Sequence, residues 1–531
     1  MTLNISVQFQ IRTSEDLGRY LVANRDLSPG DLVLTERPIV FGPKAMPDPE
    51  ASMPCVGCYK PVFTDVGERC ARYDFLYTAS SRWGPFDGYF IPYLIRTRLE
   101  ANEFIVEYLM DNFVSKLDSD IKSKYLPEIS SELLHTFCGI IDTNALEVRL
   151  PEGAELFALY AKTCFMEHSC VPSTKHTFNM SSKERNDMYK IKIKAVIPVT
   201  KGANLSTMYS HALWGTQARR QHLKDTKFFS CKCLRCSDPT ELGTYLSAMK
   251  CLGDGSKQCD GTHLPGDPLD DETDWACDSC KVKVNNSQVN MIISQMGEEV
   301  ENVQMMGGSV TMLENLLCRL STFLHPNHYH LYSVKHSLVQ LYGRQPGYTS
   351  LEYMNKKIKM CKDLIGVTKT LDPGNARLSL YSCVLYHELH SALVMKSKSA
   401  NSDGTPKTVE EMKPFLIEAK AAIEEALTAL KDDVEETSGK KLFSVIKESK
   451  GNFKRLCKEK NMHLSQKMNH DLSPDLARSA LTLCEIQSVY LETLVYTPGI
   501  LGLAQPLPVD TTPTTMTWRL SLTIRGPPLS A

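Results

Sequence analysis

The residues able to do chemistry crowd the first half of the chain. Phe228-Phe229-Ser230-Cys231-Lys232-Cys233-Leu234-Arg235-Cys236 sets three thiols at C-x-C-x2-C spacing. A structural zinc ion takes four ligands in a tetrahedron, so three thiols leave the site open. Cys170, in His168-Ser169-Cys170 well upstream, is the obvious fourth donor. A metal shared in this way ties a late segment back onto an early one and closes a pocket between them. A second set, Cys251, Cys259, Cys277 and Cys280, ends in C-x2-C with Gly253, Gly255 and Gly261 between its members, a spacing that suits a zinc ribbon. His263 is a substitute ligand there, and unliganded surface cysteines are the plain alternative.

Composition narrows the class. The chain has 531 residues, 42% hydrophobic and 23% charged, with a formal net charge of −2. That length needs more than one core. The charge balance gives no footprint for nucleic acid, and with no basic reading helix a zinc-finger DNA binder is disfavoured. Met1 to Gln10 lacks the basic and apolar regions of a signal peptide, and no run reaches the roughly 20 apolar residues of a membrane span. The 18 cysteines therefore read as metal ligands rather than disulfides. An intracellular protein follows, nuclear or cytoplasmic; Arg219-Arg220 is too small a basic cluster to choose. Cys318, Cys361, Cys383, Cys457 and Cys484 fall at helical positions and read as small buried hydrophobes.

The positioning elements come next. Leu21–Ala23, Leu32–Leu34 and Ile39–Phe41 read as strands, with a turn at Ser28-Pro29-Gly30. Residues 98–117 read as a helix through Leu99, Phe104, Ile105, Tyr108, Leu109, Phe113 and Leu117. Ile191 and Ile193 alternate with lysines, and a turn at Lys201-Gly202 leads into a strand over Leu205–Tyr209. Beyond residue 290, Met312, Leu313, Leu316, Leu317, Leu320 and Phe323, then Phe415, Ala419, Ala422, Ile423, Ala426, Leu427 and Leu430, then Leu476, Ala480, Leu483 and Ile486, mark apolar helix faces. Stacked helical hairpins are expected there, with a poorly ordered Pro- and Thr-rich tail after them.

Four segments occur in one order: Gly18-Arg19-Tyr20-Leu21-Val22-Ala23, Met166-Glu167-His168-Ser169-Cys170-Val171-Pro172, Gly202-Ala203-Asn204-Leu205-Ser206-Thr207-Met208-Tyr209, and the Cys231 cluster. Together they resemble the SET-and-MYND (SMYD) family of protein-lysine methyltransferases, on its arthropod-specific SmydA/msta-like side. Thr143-Asn144-Ala145, Leu324-His325-Pro326-Asn327-His328 and Leu341-Tyr342-Gly343 add to the likeness, which covers roughly residues 14–490. It implies an α+β fold: a β-rich SET domain with a helical insertion, a cysteine-rich post-SET zinc segment, and a helical TPR-like C-terminal domain. The implied boundaries are 1–47 and 141–228 for the two parts of the SET domain, 48–76 for a remnant MYND finger and 77–140 for the insertion. The post-SET segment takes 229–285, the helical domain 290–490 and the tail 491–531. In the finger, Cys55, Cys58 and Cys70 are present, but Tyr73 stands where a fourth ligand is expected.

The resemblance also implies S-adenosylmethionine as methyl donor, about two structural zinc ions, and a monomer acting on a protein substrate such as a histone, with roles in transcription. It places Tyr209 as the catalytic tyrosine at the mouth of the lysine channel. Gly18, Arg19, Asn144, Glu167 and His168 become the cofactor pocket. A strand-end tyrosine with its hydroxyl toward water is the plain alternative for Tyr209. Glu167 stands where the family has Asn, and Tyr20 where active relatives often have Gly. These departures define the alternative function, a catalytically inactive SET-fold scaffold that binds a peptide or chaperone tail through its helical half, with no nucleic acid and no membrane among its partners.

Overall fold

The computed structural model describes residues 7–43 apart from 16, the two-residue strands Met53–Pro54 and Pro61–Val62, and 102–462 apart from 104, 126, 150–154, 181–186, 256, 434–436 and 461. Cys55, Cys58, Cys70, the apolar face at 476–486 and the tail at 491–531 lie outside the described residues.

The chain is α+β. Strand Phe9–Ser14 pairs antiparallel with Gly18–Ala23. A three-stranded sheet runs Thr174–Phe178, Ile191–Ala195, Leu32–Glu36, and another runs Val40–Pro43, Glu155–Leu159, Leu146–Arg149. Side chains alternate across a strand, so Ile191, Ile193 and Ala195 go fully into the core while the lysines between them stay half-exposed. Leu21, Val33, Leu156 and Tyr160 complete that core.

The single helix expected over 98–117 is broken. Helix covers 105–112, a 3-10 turn covers Val114–Lys116, and a new helix starts at Ser119. Local polar side chains compete with the helical ladder here: Ser115 Oγ donates to the Asp111 carbonyl, and Asp118 caps the next helix by accepting from Asp120 N at 2.8 Å. The strand expected over Leu205–Tyr209 is shorter, Ser206–Thr207, with Tyr209 in the bend beyond it.

After the cysteines come helices Asn286–Met305, Val310–Leu320, Tyr329–Leu341, Leu351–Leu371, Ser379–Lys398, Val409–Ala429 and Thr437–Glu459. Side-chain caps mark several starts. Asn285 and Ser309 accept from the first turn, and Thr408 with Glu411 forms a reciprocal capping box. Leu313, Leu316 and Leu320 are buried, as are Ala419, Ala422, Ile423, Ala426 and Leu430; Leu317, Phe323, Phe415 and Leu427 of the same predicted faces are half-buried, and Met312 is exposed, against expectation. Cys361, Cys383 and Cys457 are buried as well, but Cys318 is exposed, against expectation, because it falls outside the Leu313–Leu316–Leu320 stripe of its helix.

Two seams bind this helical half to the β-rich half. At one, Lys250 N donates to the Phe323 carbonyl at 2.7 Å and Tyr329 N to the Leu246 carbonyl at 2.9 Å. At the other, Lys175 pairs with Asp433 at 2.5 Å, both nearly buried, and Lys194 pairs with Asp432 at 2.6 Å.

Candidate functional site

The turn that carries the site is fixed from a distance. Glu36 accepts from Lys162 N at 2.9 Å, Thr163 N at 3.0 Å and Thr163 Oγ1 at 3.0 Å, tying down the 3-10 turn Thr163–Phe165. The next segment, Glu167–His168, pairs in parallel with Ser206–Thr207, and Ser169 N donates to the Thr207 carbonyl at 2.9 Å. Ser173 and Ser206 lock this crossing by reciprocal bonds between backbone N–H and hydroxyl oxygen, 3.1 and 2.9 Å long.

Cys170, Cys231, Cys233 and Cys236 converge, with all four Sγ atoms within 4.8 Å of one another. Cys170 Sγ and Cys236 Sγ are 3.5 Å apart. Four sulfurs at a Zn–S length of about 2.3 Å define a tetrahedron with edges of about 3.8 Å, so the set fits zinc. Its surroundings fit an anionic tetrathiolate. The Arg219 guanidinium, fully buried, donates to Cys170 Sγ at 3.3 Å and to Cys236 Sγ at 3.5 Å. Arg235, equally buried, shares Glu241 with it: Glu241 Oε2 lies 2.7 Å from Arg219 Nη1 and 3.0 Å from Arg235 Nη2. Burial works to raise the Glu241 pKa, but the two guanidiniums outweigh it and hold the carboxyl below its usual range. Two cations against one anion leave a net positive charge facing the thiolates. The sequence pattern names the ligands but not these supports.

His168 belongs to this shell. Its Nδ1 accepts from the Tyr209 backbone N–H at 3.0 Å, so Nε2 carries the proton and donates to Cys170 Sγ at 3.3 Å. One imidazole thus joins the metal set to Tyr209. The two rings lie 5.4 Å apart, and the Phe229 ring lies 5.8 Å from His168 on another side. The Tyr209 hydroxyl donates to the Met166 carbonyl rather than to water, and burial pushes its pKa above the ordinary phenol value.

Of the five residues expected around a cofactor, contacts bring Arg19 to the segment that carries Glu167 and His168. Gly18 opens its strand at φ +61°, with open space where a Cβ would stand. The Arg19 guanidinium lies 4.4 Å over the Phe165 ring, just ahead of Glu167. Glu167 accepts from Asn204 Nδ2 at 2.9 Å, and burial raises its pKa. Asn144 ends helix Ser131–Asn144 and donates one amide N–H back to the Ile140 carbonyl at 3.0 Å. An aromatic cavity exists elsewhere, between Trp214, Tyr329, Tyr332, His336 and Tyr381, and none of these five residues lines it.

Cys251, Cys259, Cys277 and Cys280 form the second convergent set. They crown a small sheet of strands Met249–Lys250, Thr262–Pro265, Trp275–Cys277 and Lys283–Val284. Cys251 and Cys280 are 3.5 Å apart, and Cys259 and Cys277 3.8 Å, again tetrahedral edges. Backbone donors serve the sulfurs: Gly253 N to Cys251, Gly261 N to Cys259 and Ser279 N to Cys277, each at 3.3 Å. A Cβ at Gly261 would strike Cys277 Sγ, so glycine is required for that approach. His263 sits on the sheet opposite Cys277, outside the set.

A β-rich domain crossed by a parallel strand pair and tied by four thiols, followed by stacked helices, agrees with the α+β fold that the sequence resemblance implies. No protein-family model matches the chain. Among curated proteins it is similar to the SET domain-containing protein SmydA-8, isoform A, of Drosophila melanogaster, 27% identical over 310 residues, 51% of this chain and 64% of that protein. It is also similar to the N-lysine methyltransferase SMYD2-B of Xenopus laevis, 29% identical over 166 residues, 27% of this chain and 36% of that one. These relatives are SET-and-MYND proteins, the arthropod SmydA-like branch among them, and the chain spans less than two thirds of their length. A solved SET domain of LSMT bound to lysine and AdoHcy aligns over 93% of this chain and 96% of its own at 13% identity, with a TM-score of 0.25, too loose a superposition to argue from. No helix among the described residues is long and apolar enough to cross a membrane.

Proposed function

We propose that the chain is an S-adenosylmethionine-dependent protein-lysine N-methyltransferase of the SET-and-MYND type, acting on a histone or another protein. The observation that carries this reading is the coupling of Tyr209 to the first thiol set through His168. It supports a tyrosine held rigidly beside the segment 166–168, where the resemblance sets both cofactor and acceptor amine.

The bound donor would supply an electrophilic methyl on a sulfonium, and the remaining work is orientation. Glu167 and Arg19 offer an anion and a cation for the two charged groups of an amino-acid end. The backbone at His168 would face the adenine edge. Tyr209 would orient the acceptor amine, and water exclusion favours its neutral, nucleophilic form. Zinc at Cys170, Cys231, Cys233 and Cys236, and again at Cys251, Cys259, Cys277 and Cys280, is structural in this reading.

Calorimetric titration with S-adenosylmethionine, followed by methyl transfer to histone, tests it. The wild type binds and transfers. Tyr209→Phe binds but does not transfer, and Glu167→Asn binds at least as well as the wild type. Absence of binding at millimolar cofactor overturns the enzyme and leaves the alternative, a catalytically inactive scaffold that binds partner proteins through its helical half. What favours that alternative is Glu167 at the position where the resemblance sets an Asn, its carboxylate taken by Asn204 at 2.9 Å.

A further inference from the structure

A cavity of about 50 Å³ lies where the segment just beyond Tyr209 meets helices Asn286–Met305 and Tyr329–Leu341, with Tyr381 of helix Ser379–Lys398 beside them. A water needs about 10–15 Å³ on the same measure, so the space suits a few waters or one molecule of a few heavy atoms. Aromatic rings form much of its wall: Trp214, Tyr329, Tyr332 and Tyr381. Several polar groups of that wall are spent. The Tyr332 hydroxyl bonds Thr368 Oγ1 at 2.8 Å, Gln304 Nε2 donates to Ser333 Oγ at 2.7 Å, and His330 Nε2 donates to the Ile293 carbonyl at 3.2 Å. Two N–H groups are not spent. His336 Nδ1 accepts from Gln340 Nε2 at 3.1 Å, which leaves the proton on Nε2, and that nitrogen is buried without a partner in a residue 2% exposed. The Trp214 indole N–H is likewise buried without a partner. The Trp214 carbonyl accepts from Arg219 and Arg235, the two guanidiniums behind the first thiol set, so this wall is held before any ligand arrives.

A buried N–H without an acceptor is costly, and two on one wall point to a ligand that accepts. The charges narrow its chemistry. Among the described residues no lysine or arginine lines the cavity, and Glu301 brings a carboxylate. Burial holds the imidazoles of His211, His330 and His336 down at about 4, so they are neutral near pH 7. An anion entering alone would meet Glu301 with no cation to offset it. A ligand carrying its own cation meets both needs, since an ammonium is drawn to a carboxylate and to aromatic faces. We infer that the cavity is a binding site for a small zwitterionic amino acid, its carboxylate accepting from Trp214 Nε1 and His336 Nε2 and its ammonium turned toward Glu301. The site stands apart from the methyltransferase reading and does not depend on it.

Nuclear magnetic resonance of the full chain, isotope-labelled on its tryptophan nitrogens, reads the site directly. The Trp214 indole N–H has its own resonance, assigned by its loss in Trp214→Phe. Titration with glycine is expected to move that resonance to saturation while the other indole resonances stay. Methylammonium has the cation alone and acetate the acceptor alone, and each is expected to bind about tenfold or more weakly, the loss of charge-assisted bonds. Glu301→Gln, a change at a half-exposed position, should weaken glycine by a similar factor, as should His336→Phe. The Glu301 variant keeps the test intact where loss of the buried imidazole unfolds the chain. Acetate or methylammonium binding as well as glycine overturns the zwitterion. Glycine binding that Glu301→Gln leaves unweakened overturns the placement of the ammonium. A Trp214 resonance that glycine leaves in place overturns the site, whatever the outcome of the methyl-donor titration.

Discussion

The two four-thiol sets differ in what holds them. The first is wired by side chains from three parts of the sequence: His168, Arg219, and through Glu241, Arg235. Three of its cysteines are fully buried. The second is served by backbone N–H groups of its own loops, and Cys280 is exposed. Arg220 couples the two, donating to the Cys231 carbonyl at 2.7 Å and to the Leu269 carbonyl at 2.8 Å, with Asp271 3.1 Å away. The same ligand chemistry thus serves two purposes. One set fixes the candidate active site to the fold; the other staples the small sheet whose first strand meets the helical half.

The sharpest break in that comparison is ligand removal. Structural zinc in small domains contributes on the order of 10–16 kcal/mol of apparent binding energy, so Cys236→Ala is expected to abolish folding of the β-rich half, seen as loss of cooperative unfolding. Cys280→Ser is expected to lower bound zinc from about two per chain to about one while the main melting transition barely moves. Chelator titration monitored by thiol reactivity should show the second set opening before the first. Simultaneous opening would erase the distinction.

Next in size is Arg219→Ala. Removing one partner of a buried ion pair costs about 3–5 kcal/mol because the remaining charge is stranded; here the thiolates lose their facing cation while Glu241 keeps Arg235, which sets the lower end of that range. Denaturant unfolding should register that loss, and Arg219→Lys should not restore it, since an ammonium cannot reproduce the guanidinium fork. An exposed pair such as Arg37–Asp187 should register less than about 1 kcal/mol on the same measurement.

A further effect is graded with pH. Burial holds His211, His330, His336 and His387 down at about 4, all in or beside the helical half. An unfolded histidine titrates near 6.5, so below that pH the unfolded chain takes up protons that the folded chain refuses. Stability is therefore expected to fall as pH drops from about 6.5 toward about 4, by up to about 1.4 kcal/mol per pH unit for each histidine. Melting temperatures in zinc-saturated buffer at descending pH would check this, and a flat profile would contradict it.

The ligands themselves were legible because thiol spacing is a local constraint: C-x-C-x2-C demands a fourth donor, and Cys170 supplies it. Helix faces such as Leu313–Leu316–Leu320 were legible because burial follows the 3.6-residue period. What escaped was decided by tertiary partners. Arg219 and Arg235 look like ordinary surface cations until Glu241 is brought to them. The break after residue 112 depends on Ser115 and Asp118 winning backbone groups from the helix. Cys318 lies one residue outside the face that would bury it. The Lys175–Asp433 pair joins residues with no sequence relation at all.

That last pair has a mechanical consequence. The helical half leaves the β-rich half through the Lys250–Phe323 seam and returns to it at Lys175 and Lys194, so the polypeptide forms a loop latched at both ends. Opening any groove between the halves then demands breaking the Asp432 and Asp433 pairs together with the apolar core the halves share, and of the two pairs only the half-exposed Lys194–Asp432 is open to screening by salt.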